Sequence, residues 1–313
     1  MSGLSERRNL LFAVCCIVAL FIFFGPLEEL TKFSIHSQFY SHIWLIPFVS
    51  LYFFFTERKK IFSDGALSSG LSRTGRGVLA DYSWKAGVPL IIAGAVLFLI
   101  GRKMQWQLNK NDYSSLMTFA AFVFFNGSFL LCYGNRAFKA ALFPLFFLIF
   151  MVPVPSFIMD RIIHVLLIGS GMATELLFTL TGTAYIREGF TFHLPGLSIE
   201  IADVCSGIRS SIALFITMVI AAHMFLKTNW KKIVLLLAIY PITVLKNGVR
   251  IVVISLMSIH VDEQFITNSW LHHSGGFVFF IPSLILLGLI LWILIKTEAQ
   301  GTRIEEKKAG FRG

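Results

Sequence analysis

Three polar stretches interrupt an otherwise apolar chain, and each carries a residue type able to do chemistry. The first is Asp203-Val204-Cys205-Ser206-Gly207-Ile208-Arg209-Ser210. Cys205 stands just ahead of an apolar run predicted to be helical. A helix N-terminus offers unpaired N–H groups and a positive dipole end, and both stabilise a thiolate. Arg209, four residues on, falls one turn above Cys205 on the same face. Such a setting lowers a thiol pKa and makes a nucleophile. Taken alone, Cys205 reads more readily as a small buried apolar side chain, the role assumed for Cys15, Cys16 and Cys132. The second stretch, Lys246-Asn247-Gly248-Val249-Arg250, lies inside an apolar helix. A charge within a span faces a protein interior or a water-filled cavity, or snorkels to the headgroups. Asn247, one turn before Arg250 on the same face, favours a polar pocket. The third stretch is His272-His273-Ser274-Gly275-Gly276-Phe277, at the start of the last apolar run. Either histidine alone fits a capping or interfacial role.

Composition dictates the elements that must position these residues. Of 313 residues, 56% are hydrophobic and 14% charged. Soluble domains carry roughly 25% charged residues, so the chain is predicted to be an integral membrane protein. Disorder is excluded. Four cysteines make no disulfide framework, and continuous rather than alternating apolar runs argue against a β-barrel. The net charge of +10 belongs to cytoplasmic loops, and no basic-aromatic interleaving points to nucleic acid.

The apolar runs are about Asn9–Gly25, Tyr40–Phe55, Ala86–Ile100, Leu116–Tyr133, Ala140–Val154, Gly207–Leu226, Ile233–Ile259 (with Pro241 inside) and Gly275–Ile295. Gly134-Asn135-Arg136 ends the fourth and Pro153-Val154-Pro155 the fifth. The first run resembles a signal peptide, but Gly25-Pro26-Leu27-Glu28-Glu29 is no cleavage site, so it reads as a retained helix. Phe157–Leu180 is helical in period yet carries Asp160, Arg161, His164 and Glu175. Thr183–Val204 alternates around Pro195-Gly196 and reads as a hairpin-like extended segment. The expected fold is all-α and polytopic, with about eight transmembrane helices. Arg7/Arg8, Arg58/Lys59/Lys60, Arg136/Lys139, Lys227/Lys231/Lys232 and Lys296/Arg303 are expected to be cytoplasmic, as are both termini. Parity then requires Phe157–Val204 to cross zero or two times. Its charges favour zero, which lays Phe157–Leu180 along or into the outer face.

This topology, argued without the polar stretches, sets Cys205, Arg250 and His272/His273 at one depth, the outer boundary. Arg250 is roughly 25 Å beyond the cytoplasmic entry of its helix. A thiol, an imidazole and a guanidinium together are the parts of a cysteine acyl-transfer site. The imidazole takes the thiol proton and returns it to the leaving amine. The guanidinium holds the carbonyl or the oxyanion.

Cys-Ser-Gly-Ile-Arg at Cys205–Arg209, Asn-Gly-Val-Arg at Asn247–Arg250 and His-x-x-x-Gly-x-x-x-Phe at His272–Phe280 resemble the exosortase/archaeosortase family. Pro153-Val154-Pro155 and Arg187-Glu188-Gly189 also look like it, and the resemblance covers about Pro153–Leu294. It implies a polytopic membrane cysteine transpeptidase. Such enzymes recognise C-terminal sorting signals on secreted proteins: a short motif often containing Pro-Glu-Pro, a hydrophobic helix and a basic tail. The cleaved protein passes to an envelope acceptor, a lipid or polysaccharide. Carried over by motif, the catalytic residues are Cys205, Arg250 and His272. The family's glycine follows its histidine by four, which selects His272 with Gly276 over His273. Arg209 and Asn247 are supporting residues, and no cofactor or metal is implied. The chain then divides into N-terminal transmembrane helices (1–150), a catalytic membrane core (151–296) and a charged cytoplasmic tail (297–313).

Other classes explain less. A transporter accounts for many helices and for Arg250 as a substrate-binding charge, but not for the shared depth of Cys, Arg and His. A metal site from His260, Asp262, Glu263, His272 and His273 lacks a His-Glu-x-x-His pattern. A serine peptidase using Ser206 or Ser210 lacks a Gly-x-Ser-x-Gly elbow.

Overall fold

The computed structural model describes residues 2–37, 40–62, 83–201, 207–261 and 270–310. The chain forms two compact units, Met1–Ile158 and Met159–Gly313. Seven helices among the described residues are long and apolar enough to cross a bilayer. The protein is an all-α polytopic membrane protein carrying one small sheet.

The first unit contains α1 (Ser2–His36), α2 (Leu45–Phe62), α3 (Trp84–Met104), α4 (Lys110–Ala140) and the short α5 (Leu142–Phe147). Without a hydrophobic drive between helices in lipid, close packing holds them together. Gly87, Gly94 and Gly101 recur every two turns on the buried face of α3. A methyl at Gly94 would stand 2.8 Å from the Phe124 backbone nitrogen of α4, so only glycine admits this approach. Phe12 and Phe23 of α1 meet Phe129 and Phe124 of α4 edge to face, an arrangement favoured by the ring quadrupoles.

The fourth apolar run ends where its glycine predicts. Gly134 (φ 78°) breaks the α-helical path inside α4. The fifth run is less regular than its composition suggests. It forms only α5 and a 3-10 turn at Leu148–Met151, then stops before Pro153. It still returns the chain to the start of α4. There Asp112 Oδ1 accepts from the Ser156 N–H at 2.6 Å, and Asn111 Nδ2 donates to the Val154 carbonyl at 2.8 Å. The Tyr40 hydroxyl donates to that carbonyl at 3.2 Å, and burial pushes its phenol up to about 12. Tyr40 therefore remains a donor at any physiological pH. At the other end of the unit, Tyr133 donates to Asn9 and Ser83 to Asn135. That end carries Arg7, Arg8, Arg58, Lys59, Lys60, Arg136 and Lys139, the clusters on which the charge-based topology rests.

The second unit holds most of α6 (Ser156–Leu180), strands β1 (Ile186–Glu188), β2 (Thr191–Leu194) and β3 (Leu197–Glu200), then α7 (Ile208–Phe225), α8 (Asn229–Leu237), α9 (Ile239–His260) and α10 (Trp270–Gly310). The expected extended segment is a three-stranded antiparallel meander, with Leu194 opposite Leu197 across Pro195-Gly196. Gly196 takes φ +79°, the value a Pro-Gly type II turn requires at its second central residue. The sheet presses Phe192 and Leu194 onto Leu167, Phe178, Ile251 and Val252. Arg187 ties it to α6, pairing with Glu175 at 2.5 Å and lying 5.5 Å from the Phe192 ring centre.

The run expected over Ile233–Ile259 divides into α8 and α9 at Ala238. Pro241 is the reason. Proline has no N–H for the Leu237 carbonyl, and it fits only the first turn of a new helix. Leu214 and Met218 of α7, Leu226 just beyond its end, Leu235 of α8 and Leu287 and Leu294 of α10 form one core.

The segment Phe157–Leu180, expected to lie along the outer face, belongs to the 25-residue apolar α6 and is long enough to cross. Asp160, Arg161 and His164 fall in its first turns and are exposed, while Glu175 is paired with Arg187. These charges therefore do not bar a crossing.

Candidate active site

Helices α6 and α9 run parallel in constant register. The Tyr240 hydroxyl donates to the Val165 carbonyl at 3.4 Å, Gly169 faces Val244, and Gly248 faces Ala173. A methyl at Gly248 would come within 2.8 Å of the Ala173 Cβ. Small residues on both helices thus bring the backbones close enough for short side chains to meet.

In this seam lies Asn247, fully buried at 0% exposure. Its Nδ2 donates to Ser170 Oγ at 3.0 Å, whereas its Oδ1 has no hydrogen-bond partner. Lys246, also buried, donates from Nζ to Ser210 Oγ on the first turn of α7. Ser210 and Ser211 both donate their hydroxyls to the Gly207 carbonyl at 2.8 Å. Gly207 caps α7 in the left-handed region at φ +76°. A methyl there would sit 3.5 Å from both Lys246 Nζ and Asn247 Oδ1. The second polar stretch therefore meets the first where α7 begins.

Cys205 itself lies outside the described residues, as do Asp203 and Ser206; Gly207 is two residues further on. Arg250 is half-buried on α9, one turn beyond Lys246 and Asn247. Arg209 is exposed on the first turn of α7. His272 and His273 fall in the first turn of α10, with side chains outside the described part. Asp262 and Glu263 also lie outside the described residues, and His260 is exposed at the end of α9.

Ser170 escaped the sequence reading, because a serine within a helix carries no signature of its own. Its flanking Gly169 and Gly171 were the available signal, since small-residue runs mark close helix contacts. Lys246 was visible as a charge within a span, but its tie to Ser210 joins helices distant in sequence.

The family described as transmembrane exosortase (Exosortase_EpsH) matches residues 31–289, most of the chain. The chain belongs to the transmembrane exosortase family. In general terms an exosortase is a membrane-embedded sorting transpeptidase, and that class covers this chain. No curated protein and no solved structure matches it. The exosortase match spans the Cys205, Arg250 and His272 stretches together.

Proposed function

We propose that this exosortase is a cysteine transpeptidase that cleaves a C-terminal sorting signal from secreted proteins and passes them to an envelope lipid or polysaccharide. Cys205 is the nucleophile, Arg250 the oxyanion partner and His272 the acid–base group. The substrate's hydrophobic helix lies in the bilayer beside the enzyme, which makes attack effectively intramolecular. His272 takes the thiol proton as Cys205 Sγ attacks the scissile carbonyl carbon. Arg250 stabilises the oxygen anion that forms. The C–N bond then breaks, His272 protonates the departing amine, and a thioester remains. An acceptor hydroxyl or amine, or water, attacks the thioester and frees the thiol.

One observation carries this reading. The start of α7, two residues after Cys205, rests against Lys246 and Asn247, one turn from Arg250. Gly207 and Ser210, which follow Cys205 in sequence, thus meet Lys246 and Asn247, which precede Arg250, and this meeting supports the assignment.

The orientation proposed is a multi-pass protein of the cytoplasmic membrane, with cytoplasmic termini and the site on the outer face. In support, Lys231 Nζ bonds the Leu294 carbonyl, and Glu298 accepts from the Lys227 and Thr228 amides. These bonds gather Lys227, Lys231, Lys232 and Lys296 at one end of the second unit, as positive-inside residues require. Arg250 lies far along α9 from that end.

The test pairs the chain with a secreted protein bearing a motif, a hydrophobic helix and a basic tail. Cys205→Ala is expected to abolish processing while the protein still inserts in the membrane. Full processing by this variant overturns the assignment.

A further inference from the structure

We propose that the turn between α3 and α4, in the first unit, is a docking site for anionic phospholipid headgroups. Helix α3 buries Gly87, Gly94 and Gly101, while Ile92, Val96 and Leu99 are exposed. Its 21 residues span about 31 Å, against about 30 Å for a bilayer's hydrocarbon core. The exposed apolar side of α3 is therefore a lipid-facing one. Trp106 follows the helix directly and is 92% exposed. A tryptophan at the end of a span sits at headgroup level, where its apolar ring and its N–H are both accommodated. Trp84, also exposed, marks the opposite end of α3.

Arg102, Lys103 and Lys110 flank Trp106, are exposed, and enter no ion pair among the described residues. No acidic residue occurs from position 83 to 111. The positive-inside bias does not account for these cations, because the Ser83–Asn135 bond sets the start of α3, not its end, beside the basic clusters. The helix dipole accounts for Arg102 and Lys103 in the last turn of α3. It opposes Lys110, which opens α4. Acids of the first unit at this end are mostly engaged. Asp112 accepts from the Ser156 N–H and from Asn109. Phe23 packs on Phe98, which brings the Glu28–Glu29 turn of α1 near this level, but Glu28 is held by Lys32 at 2.6 Å. The link 37–44 carries no acid. Glu29, exposed, is left against three cations. A basic, tryptophan-bearing turn at the bilayer rim complements a lipid phosphate, with the ring against the glycerol region. A zwitterionic headgroup brings a cation of its own, so the excess charge selects an anionic one.

The experiment uses the full chain in vesicles, with Trp44, Trp84, Trp230, Trp270 and Trp292 replaced by phenylalanine so that Trp106 alone fluoresces. Quenching is compared between phosphatidylglycerol and phosphatidylcholine, each carrying a nitroxide at the top of its acyl chain. Phosphatidylglycerol is expected to be preferred at Trp106 by about fivefold, the effect of one engaged cation at a lipid surface. The preference is expected to fall close to unity in Arg102→Gln/Lys103→Gln/Lys110→Gln and to weaken in high salt. Equal quenching by the two lipids overturns the proposal, and so does a preference that survives in the triple variant. Absence of quenching by either lipid overturns it as well, because the turn would then stand clear of the bilayer. A preference that emerges only with Glu29→Gln overturns it too, since Glu29 would be the cations' own partner. A second measurement keeps all six tryptophans and follows melting in detergent. Added phosphatidylglycerol is expected to raise the melting temperature, and the triple variant to lose part of that rise; an undiminished rise also overturns the proposal.

Discussion

Asn247 on α9 donates its carboxamide N–H to the Ser170 hydroxyl on α6 across 3.0 Å, in a setting fully closed to solvent. The bond orients the amide, so the unpartnered Oδ1 faces Gly207 rather than α6. Ser170→Ala leaves a buried donor without an acceptor, which costs about 1–3 kcal/mol. Thermal melting in detergent is expected to drop accordingly, with processing impaired as the amide loses its orientation. Pairing Ser170→Ala with Asn247→Leu is expected to recover much of the melting temperature, since removing both partners removes the unmet bond. Activity is not expected to recover with it. Parallel recovery of both would show that Asn247 serves packing alone.

Gly248 lies in the seam where α6 and α9 pack closely. A methyl there meets the Ala173 Cβ at 2.8 Å and the Ala173 carbonyl carbon at 3.2 Å. Gly248→Ala is therefore expected to destabilise by about 1–3 kcal/mol, the usual cost of overpacking. Ala173→Gly in the same chain removes the nearest clashing atom and should restore part of the loss. Melting curves of the two variants decide this; equal stability would mean that the seam yields without cost.

Much of this arrangement was legible in the chain. Gly134 ended a helical path, Pro195-Gly196 turned a strand, Pro241 opened a helix, and the basic clusters marked one end of each unit. Those signals act within a few residues of where they stand. What was not legible depends on distant partners. Glu175 counted against a crossing helix until Arg187 stood beside it. Ser170 was anonymous without Asn247, 77 residues away. The fifth apolar run had the composition of a regular helix, but it forms only α5 and a 3-10 turn, and the ties of Ser156 and Val154 to the start of α4 join residues far apart in sequence. In the candidate site, residue types and order pointed to Cys205, Arg250 and His272. The meeting of Lys246 with Ser210 required the helices themselves.

Gly207 takes φ +76° at the cap of α7, a region where a side chain adds strain. Open space is not the limit there, because a methyl finds its neighbours at 3.5 Å. Gly207→Ala is expected to cost about 1–2 kcal/mol through the backbone alone. Gly207→Asn should cost less, since asparagine tolerates this conformation. Processing rates are expected to follow the same order, with glycine ahead of asparagine and asparagine ahead of alanine. Alanine matching glycine in both melting and processing would contradict the strain argument.

Arg187 binds the sheet to α6 in three ways: an ion pair with Glu175, a bond from Nε to the Gly189 carbonyl at 3.0 Å and a face contact with Phe192. The Glu175 side chain is 44% exposed, so its share of the ion pair is screened and worth at most about 1 kcal/mol. Glu175→Gln is therefore expected to change melting little. Arg187→Ala loses all three contacts and uncovers the Phe192 face, so its effect should clearly exceed that of Glu175→Gln. Because β3 leads through Ile201 toward Cys205, the same variant is expected to slow processing, whereas Glu175→Gln is not. Limited proteolysis of the 186–200 segment, faster in Arg187→Ala than in Glu175→Gln, checks that the loosened element is the sheet. Equal proteolysis in the two variants would assign the anchoring to the carboxylate instead.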